Sequence, residues 1–209
     1  MTNRLDHFMW AAPDLDAAIG HFEDLSGVRA LLGGVHPGRG TRNALAALGP
    51  DIYLEIIAPD PAQDLGGTFG GELAQLDAPQ ILAFMIKSGD LERTREAYAS
   101  HGIVCDGPFA ASRRTDEGAL LAWRLLAPEK NDFGKLAPIA IDWQDSPHPA
   151  ASAPSGCRLE AFEAGTPNPG KLAELYGALG TGVAVARADR PYLRAVLSTP
   201  EGRLVLTSA

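Results

Sequence analysis

The sequence predicts an α+β fold in which two βαβββ modules follow one another and a shorter third βα unit ends the chain. Three observations predict it. LDHFMWAAPDLDAAI, starting at Leu5, is similar to ILAFMIKSGDLERTR, which starts 76 residues later at Ile81. Each copy has the pattern of an apolar strand, a short turn with Asp and an amphipathic helix. Stretches rich in Pro, Gly, Asp, Ala and Ser separate the modules, and a repeat of about eighty residues is too long for a solenoid unit.

These patterns divide the chain within one compact domain. We place the first module at residues 1–58, a linker at 59–79, the second module at 80–145, a second linker at 146–157 and the C-terminal unit at 158–209.

In the first module, Asp14 is a good helix N-cap and Gly27 a plausible stop, and apolar residues recur between them at helical spacing. The predicted strands are residues 4–12, 28–35, 43–48 and 52–58. The first linker contains one predicted helical turn near residues 73–76.

The second module repeats this plan, with a helix at 91–101 capped by Asp90. Its predicted strands are 81–86, a short one starting at 103–105, 120–126 and 139–143. The last unit has the pattern of a shorter third copy, with a strand at 158–162, a helix at 169–179 and strands at 183–186, 193–198 and 204–207.

Composition excludes several classes of function. A net charge of −8 argues against nucleic-acid binding, which needs a basic face. No apolar run approaches the length of a membrane span, and the N-terminus has no signal-peptide pattern, so we expect a cytoplasmic protein. Cys105 and Cys157 follow no CxxC pattern and are expected to be free thiols. Whether the protein is a monomer or a homodimer stays open.

His7 and Glu55 are the residues that carry most chemical information. Each lies in the middle of an apolar predicted strand, and two-residue alternation places Leu5, His7 and Met9 on one face. A carboxylate within YLEII is costly to bury unless it is paired or binds a ligand. An exposed Glu and a hydrogen-bonded core His are the alternative interpretations.

A first-strand His and a fourth-strand Glu in tandem βαβββ modules resemble the vicinal oxygen chelate superfamily. Three strings are similar to its glyoxalase-like domain family: LDHFMWAAPDLDAAIGHFEDLSGV, GGVHPGRGTRNALAALG and IYLEIIAPDP. WRLLAP and IDWQDSPHPA add to the resemblance, which covers residues 4–150 well and the remainder poorly.

The resemblance implies a curved, cup-shaped mixed sheet with helices outside and a divalent metal in the cup. The implied ligands are His7 and Glu55, with Asp142 in the fourth strand of module two. Imidazole and carboxylate suit Zn, Mn, Ni, Co or Fe(II), and no organic cofactor is expected. Ala83 occupies the first-strand position of module two, where the superfamily usually has a His. The fourth strand of module one, YLEII, aligns with either PIAID or AIDWQ in module two, so the residue equivalent to Glu55 stays open. A full four-ligand site is therefore not apparent, and metal-free acid–base chemistry is the alternative.

Other polar residues are candidates for the cup. His36 lies in the loop HPGRG, which is either a plain strand connection or a flexible lip over the cup. In the second case we expect His36 to line the cup and to be a second proton-transfer group beside Glu55. Arg113 and Arg114 precede a predicted turn and are expected at the surface. The remaining predicted substrate-binding residues are polar or aromatic groups near the strand ends: Thr41, Asn43, Trp123, Arg124 and His148.

Two functions compete. The first is a small-molecule enzyme of the lyase or isomerase type, acting on a substrate with vicinal oxygens such as a hydroxy acid, a dicarbonyl or a catechol. The second is a metal-free protein that binds and sequesters a small molecule, as the resistance proteins of this superfamily do. A third interpretation is structural, with His7 and Glu55 bonded only to each other.

Overall fold

The computed structural model describes residues 3–114 and 120–208, including the backbone but not the side chain of Arg114. Its helices are α1 (Leu15–Ser26), α2 (Phe69–Leu73), α3 (Leu91–Ala99) and α4 (Pro169–Leu179). Single 3₁₀ turns are formed by Gly134–Leu136 and Pro149–Ala151. In the described part of the chain, no helix has the length and hydropathy needed to cross a membrane.

The strands divide between two sheets. The larger, in the order β2-β3-β4-β1-β5-β8-β7-β6, contains eight strands: β1 (Arg4–Ala11), β2 (Leu31–His36), β3 (Thr41–Gly49), β4 (Ile52–Pro59), β5 (Gln80–Lys87), β6 (Cys105–Arg114), β7 (Leu120–Pro128) and β8 (Ile139–Asp142). The smaller, in the order β10-β9-β11-β12, contains four: β9 (Arg158–Thr166), β10 (Ala184–Arg187), β11 (Tyr192–Thr199) and β12 (Gly202–Thr207).

The predicted α+β fold of paired modules is confirmed. β1 and β5 are the equivalent first strands of the two modules, and they pair antiparallel with Phe8 opposite Phe84. These two residues also occupy equivalent positions in the repeat, so a local two-fold relates the modules. The strands extend the large sheet on both sides, and its edge strands β2 and β6 approach one another. The sheet is therefore a strongly curled half-barrel.

Each face of the large sheet has its own core. The convex core contains Phe8 and Phe84 and is covered by α1, α3, α4 and the small sheet. The concave core lies inside the curl and contains mainly large apolar side chains: Met9, Leu45, Tyr53, Ile57, Leu73, Met85, Leu121, Trp123, Ile141 and Trp143.

A β-bulge in β1 changes the predicted alternation. Leu5 is paired with Ile86 and His7 with Met85, which leaves Asp6 as the extra residue. Leu5 consequently joins the convex core, whereas His7 and Met9 point into the concave side. The prediction that Leu5 shares a face with His7 is wrong for this reason.

The small sheet is not a third copy of the module. In module one the first strand pairs parallel with the fourth, β1 with β4. In the last unit the first strand, β9, pairs parallel with β10 and antiparallel with β11. The order of the strands therefore contradicts the predicted duplication, although the predicted βα unit is present and packs on the convex core.

Both predicted linkers also cover the concave side. In the first, Leu73 of α2 is fully buried in the concave core and Phe69 packs against it. In the second, Ala150 is buried in the same core, and the backbone N–H of Ala47 in β3 donates to the carbonyl of Pro154 at 2.8 Å.

Candidate active site

The site is a cluster of polar side chains at the module-one end of the concave core. His7 of β1 and Glu55 of β4 lie on neighbouring parallel strands, with Met9 directly opposite Glu55. The Nε2 atom of His7 is 3.7 Å from Oε2 of Glu55, and both residues are buried. The strand register therefore brings the two predicted residues together.

His36 adds a second imidazole. It is the last residue of β2 and pairs with Thr41, the first residue of β3. Its Nδ1 lies 2.9 Å from the Thr41 hydroxyl, and its Nε2 is 3.9 Å from Oε1 of Glu55. The hairpin therefore orients the His36 ring toward the carboxylate.

Asn43 holds the carboxylate itself. Its Nδ2 donates to Oε1 of Glu55 at 2.6 Å and lies 3.4 Å from Nε2 of His36. Gly33 on β2 makes room for this side chain, because a Cβ at that position would lie 2.5 Å from Oδ1 of Asn43. The carboxylate is thereby fixed with Oε2 turned toward His7.

Asp6 backs His7 from the other side. Its Oδ1 is 2.5 Å from Nδ1 of His7, and its Oδ2 accepts from Nε1 of Trp143 at 3.0 Å and from Nε2 of His148 at 3.1 Å. Burial alone would raise the pKa of Asp6, but the hydrogen bonds from His148 and His7 hold that pKa well below its usual value.

Tyr53 and Arg113 complete the surroundings. Tyr53 stacks on the His7 ring with centroids 4.3 Å apart, and burial raises the pKa of its phenol well above the usual value. Arg113 pairs with Leu121, whose side chain lies in the concave core, so Arg113 also points inward. It is buried, and the expectation that it lies at the surface is wrong.

Burial is the main cause of the lowered pKa of His36. The positive charge of Arg113 also lowers this pKa, whereas the negative charge of Glu55 raises it. His36 is consequently a neutral imidazole at neutral pH, able to accept a proton.

The HPGRG loop is held against the first linker. The backbone N–H of Gly38 donates to Oε1 of Gln63, and that of Gly70 donates to the carbonyl of Arg39, both at 2.9 Å. Gly70 is required for this contact, because a Cβ there would lie 1.8 Å from the Gly40 carbonyl oxygen. The Arg39 guanidinium lies 5.6 Å from the centroid of the Phe109 ring on β6 and so helps to close the curl.

Four predicted site residues do not share this arrangement. Asp142 and Arg124 lie opposite each other on β8 and β7, and their side chains form a 2.5 Å ion pair. Their chain neighbours Trp123, Ile141 and Trp143 have side chains in the concave core. Because successive side chains of a strand point to opposite faces, Asp142 and Arg124 point to the convex face. His148 reaches the site only through Asp6. Trp123 lines the concave core beside Trp143, with ring centroids 5.3 Å apart.

Register also decides the alignment of the two fourth strands. Met9 is opposite Glu55, and Met85, its counterpart in module two, is opposite Ile139. YLEII therefore aligns with APIAI, and both alignments expected from the sequence are wrong. The positions equivalent to His7 and Glu55 are Ala83 and Ile139, which have no ligand atoms.

The residues do not fit a metal site with ligands from both modules. Asp142 faces away, and Ala83 and Ile139 cannot coordinate an ion. Among the described residues, no group of three or more His, Cys, Asp and Glu side chains is arranged to hold a metal.

Sequence reasoning missed Asp6, Tyr53 and Arg113. Asp6 is brought inward by a bulge, which two-residue alternation does not reveal. Tyr53 precedes Glu55 by two residues, so it lies on the same strand face, and that spacing was the available signal.

Comparisons with known proteins agree with the fold. The model of a family described as the glyoxalase-like domain matches residues 5–180. No curated protein matches the chain. A hypothetical protein from Staphylococcus aureus is similar, with a TM-score of 0.67 and 16% identity over 99% of this chain and 86% of that one.

A methylmalonyl-CoA epimerase from Streptomyces coelicolor, an S115T variant in complex with 2-nitronate-propionyl-CoA, is also similar. Its TM-score is 0.51 and its identity 18%, over 71% of this chain and 100% of that one. The match to the family model covers most of the sequence, and the paired modules have the fold that this family shares. The chain therefore belongs to the glyoxalase-like domain family of the vicinal oxygen chelate superfamily.

Proposed function

We propose that this protein is an isomerase or lyase that moves a proton on a small substrate with two neighbouring oxygens. One observation carries the proposal. The Nε2 atoms of His7 and His36 each lie within 4 Å of a different carboxylate oxygen of Glu55, at the polar end of an otherwise apolar concave core. Buried titratable groups that converge in this way are typical of catalytic sites.

Glu55 is the proposed base that removes a proton from the carbon next to a substrate carbonyl or carboxyl group. Asn43 fixes one carboxylate oxygen at 2.6 Å, so the other is presented in a single orientation. Positioned general bases of this kind accelerate proton transfer by about 10²–10⁴-fold.

His36 is the proposed partner that receives the proton or returns it. Its lowered pKa keeps the imidazole neutral, and its contact with Thr41 holds Nε2 toward the carboxylate. Return to the opposite face of the carbon gives an isomerase. Loss of a leaving group from the neighbouring carbon gives a lyase.

Removal of the substrate proton places negative charge on the neighbouring substrate oxygen, which a hydrogen-bond donor or a positive charge must stabilise. Tyr53 keeps its phenolic proton at neutral pH because burial raises its pKa. The buried Arg113 supplies positive charge on the same side of the sheet. Donors fixed in a site of low polarity stabilise such an oxyanion more than water does. The fold accommodates this type of chemistry, since the similar Streptomyces protein is an epimerase.

A deuterium-exchange experiment tests the proposal. The protein is incubated in D₂O with a panel of 2-hydroxy acids and dicarbonyl compounds, and loss of the α-proton is followed by NMR. We expect exchange for at least one compound, a fall of about 100-fold or more in Glu55→Gln, and no change in Asp142→Asn, which alters a carboxylate of the convex face. Chelation of divalent metals with EDTA is expected to leave the rate unchanged.

The alternative is metal-free binding without turnover, which the methionine- and tryptophan-rich concave core favours. A panel compound that binds in the wild type, undergoes no exchange and loses no affinity in Glu55→Gln would support that alternative and contradict the proposed enzyme. Exchange that stops with EDTA and returns with added metal would contradict the metal-free chemistry.

A further inference from the structure

Asp6 is a carboxylate next to the site with three hydrogen-bond partners. It is fully buried, and the bulge in β1 turns its carboxylate to the same side as His7. Three N–H groups surround it, from His7, His148 and Trp143, at 2.5–3.1 Å. Bulges of this type often re-aim a side chain beside a catalytic site.

The hydrogen bonds assign the protons along this chain of groups. The backbone N–H of Ala150 donates to Nδ1 of His148, so the proton of that ring lies on Nε2, which donates to Asp6. The indole of Trp143 can only donate. An ionised Asp6 accepts both, and its remaining oxygen accepts from Nδ1 of His7.

We infer that Asp6 is a positioning residue that keeps the proton of His7 on Nδ1 and leaves Nε2 bare, facing Oε2 of Glu55. The role of His7 in turnover rests on the proposed function, but its proton position does not. The bare Nε2 lies 3.7 Å from a second acceptor, so a substrate proton between these two atoms has a base on each side. His148 and Trp143 hold Asp6 in place and contribute without touching the substrate.

Replacing Asp6 with Asn is expected to reverse the tautomer. The amide oxygen satisfies two donors if it faces Trp143 and His148, and only one if it faces His7. In the favoured orientation the amide N–H₂ donates to Nδ1 of His7, so the proton of that ring moves to Nε2. The proton then blocks the atom that faces Glu55.

Nitrogen NMR of protein labelled with ¹⁵N-histidine tests the inference at pH 8. The signals of His7 are identified by their loss in His7→Gln. We expect a protonated Nδ1 and an unprotonated Nε2 in the wild type, and the reverse in Asp6→Asn. Trp143→Phe, which removes one donor from Asp6 and leaves the carboxylate, is the matched control and is expected to retain the wild-type tautomer.

Asp6→Asn is also expected to lower the exchange rate by on the order of 10²–10⁴-fold while substrate affinity is retained, as for other imidazoles held in the wrong tautomer. A wild-type His7 with its proton on Nε2 overturns the inference, whether or not Asp6→Asn folds. An unchanged tautomer in folded Asp6→Asn overturns it as well. The expected tautomers without any exchange on the panel would contradict the proposed function and leave the role of Asp6 standing.

Discussion

Phe162 is one of the residues that join the small sheet to the two modules. It lies on β9, is buried, and its ring centroid is 5.3 Å from that of Phe8 and 5.2 Å from that of Phe84. Those two rings belong to the strands that pair at the local two-fold. Loss of the Phe162 ring therefore opens a cavity at the centre of the convex core.

The expected cost of Phe162→Ala is about 4–5 kcal/mol of unfolding free energy. Truncation of a buried Phe removes about 3–5 kcal/mol when the cavity does not collapse. Both partner rings lie on paired strands of a curled sheet, so little collapse is expected here. Each aromatic pair adds roughly 0.5–1.5 kcal/mol beyond its buried area, which places the value in the upper half of that range.

Urea unfolding followed by tryptophan fluorescence measures this coupling. Trp10, Trp123 and Trp143 all lie in residues 1–145, so fluorescence reports on the modules and not on the small sheet. We expect a lower fluorescence midpoint in Phe162→Ala. Val205→Ala, an exposed change on β12, is the matched control and should shift stability by no more than about 0.5 kcal/mol.

An unchanged fluorescence midpoint would refute this reasoning, above all if circular dichroism then showed an earlier separate transition. That result would mean that the small sheet unfolds on its own and does not support the modules.

Three further predictions concern charge and thiols. The pKa of Asp6 in the folded protein lies below its unfolded value of about 3.9. The ionised Asp6 therefore stabilises the fold fully above that pH, and this stabilisation is lost as the pH falls toward the folded pKa. Below about pH 4, the unfolding free energy of Asp6→Asn should consequently fall less steeply with decreasing pH than that of the wild type. Burial raises the pKa of the Cys105 thiol to about 11. Its reaction with DTNB at pH 8 should therefore be at least about 100-fold slower in the native protein than in urea. The Cys105→Ser variant is the control that identifies which reaction phase belongs to Cys105. Arg124→Met breaks a half-exposed ion pair on the outer face of the large sheet. Chemical denaturation should therefore show a loss of no more than about 1 kcal/mol of unfolding free energy, and the rate of substrate deuterium exchange should not change. A large fall in the exchange rate would mean that Arg124 belongs to the site.

The repeat predicted much of the fold because strand and helix patterns are local. Equivalent first strands imply equivalent modules, and the pairing of Phe8 with Phe84 is the contact such a duplication produces. The third unit was misjudged because element order resembles that of a module, whereas the pairing of β9 with both β10 and β11 depends on long-range contacts.

The meeting of side chains in the candidate site was predictable where two-residue alternation was regular, and Asp6 was missed because a bulge interrupts that alternation. His7, Glu55 and Asn43 lie on the expected faces, and the structure brings them together with His36. Asp142 was assigned to the cup from the resemblance, which implies a metal ligand on the fourth strand of each module, and the sequence left open which face of that strand is concave. The pairing of β5 with β8 fixes that choice, and it is a property of the folded sheet.

The two halves of the concave side have become chemically different despite their common plan. The module-one positions hold an imidazole and a carboxylate, whereas the equivalent module-two positions hold Ala83 and Ile139, with Met85 between them on the paired strands. Apolar side chains cannot satisfy the hydrogen bonds of a polar ligand group. We therefore propose that a ligand of the concave side places its neighbouring oxygens near His7, Glu55 and the inward-facing Arg113, and its apolar part against the methionine and tryptophan side chains. This arrangement would give the ligand one direction of binding.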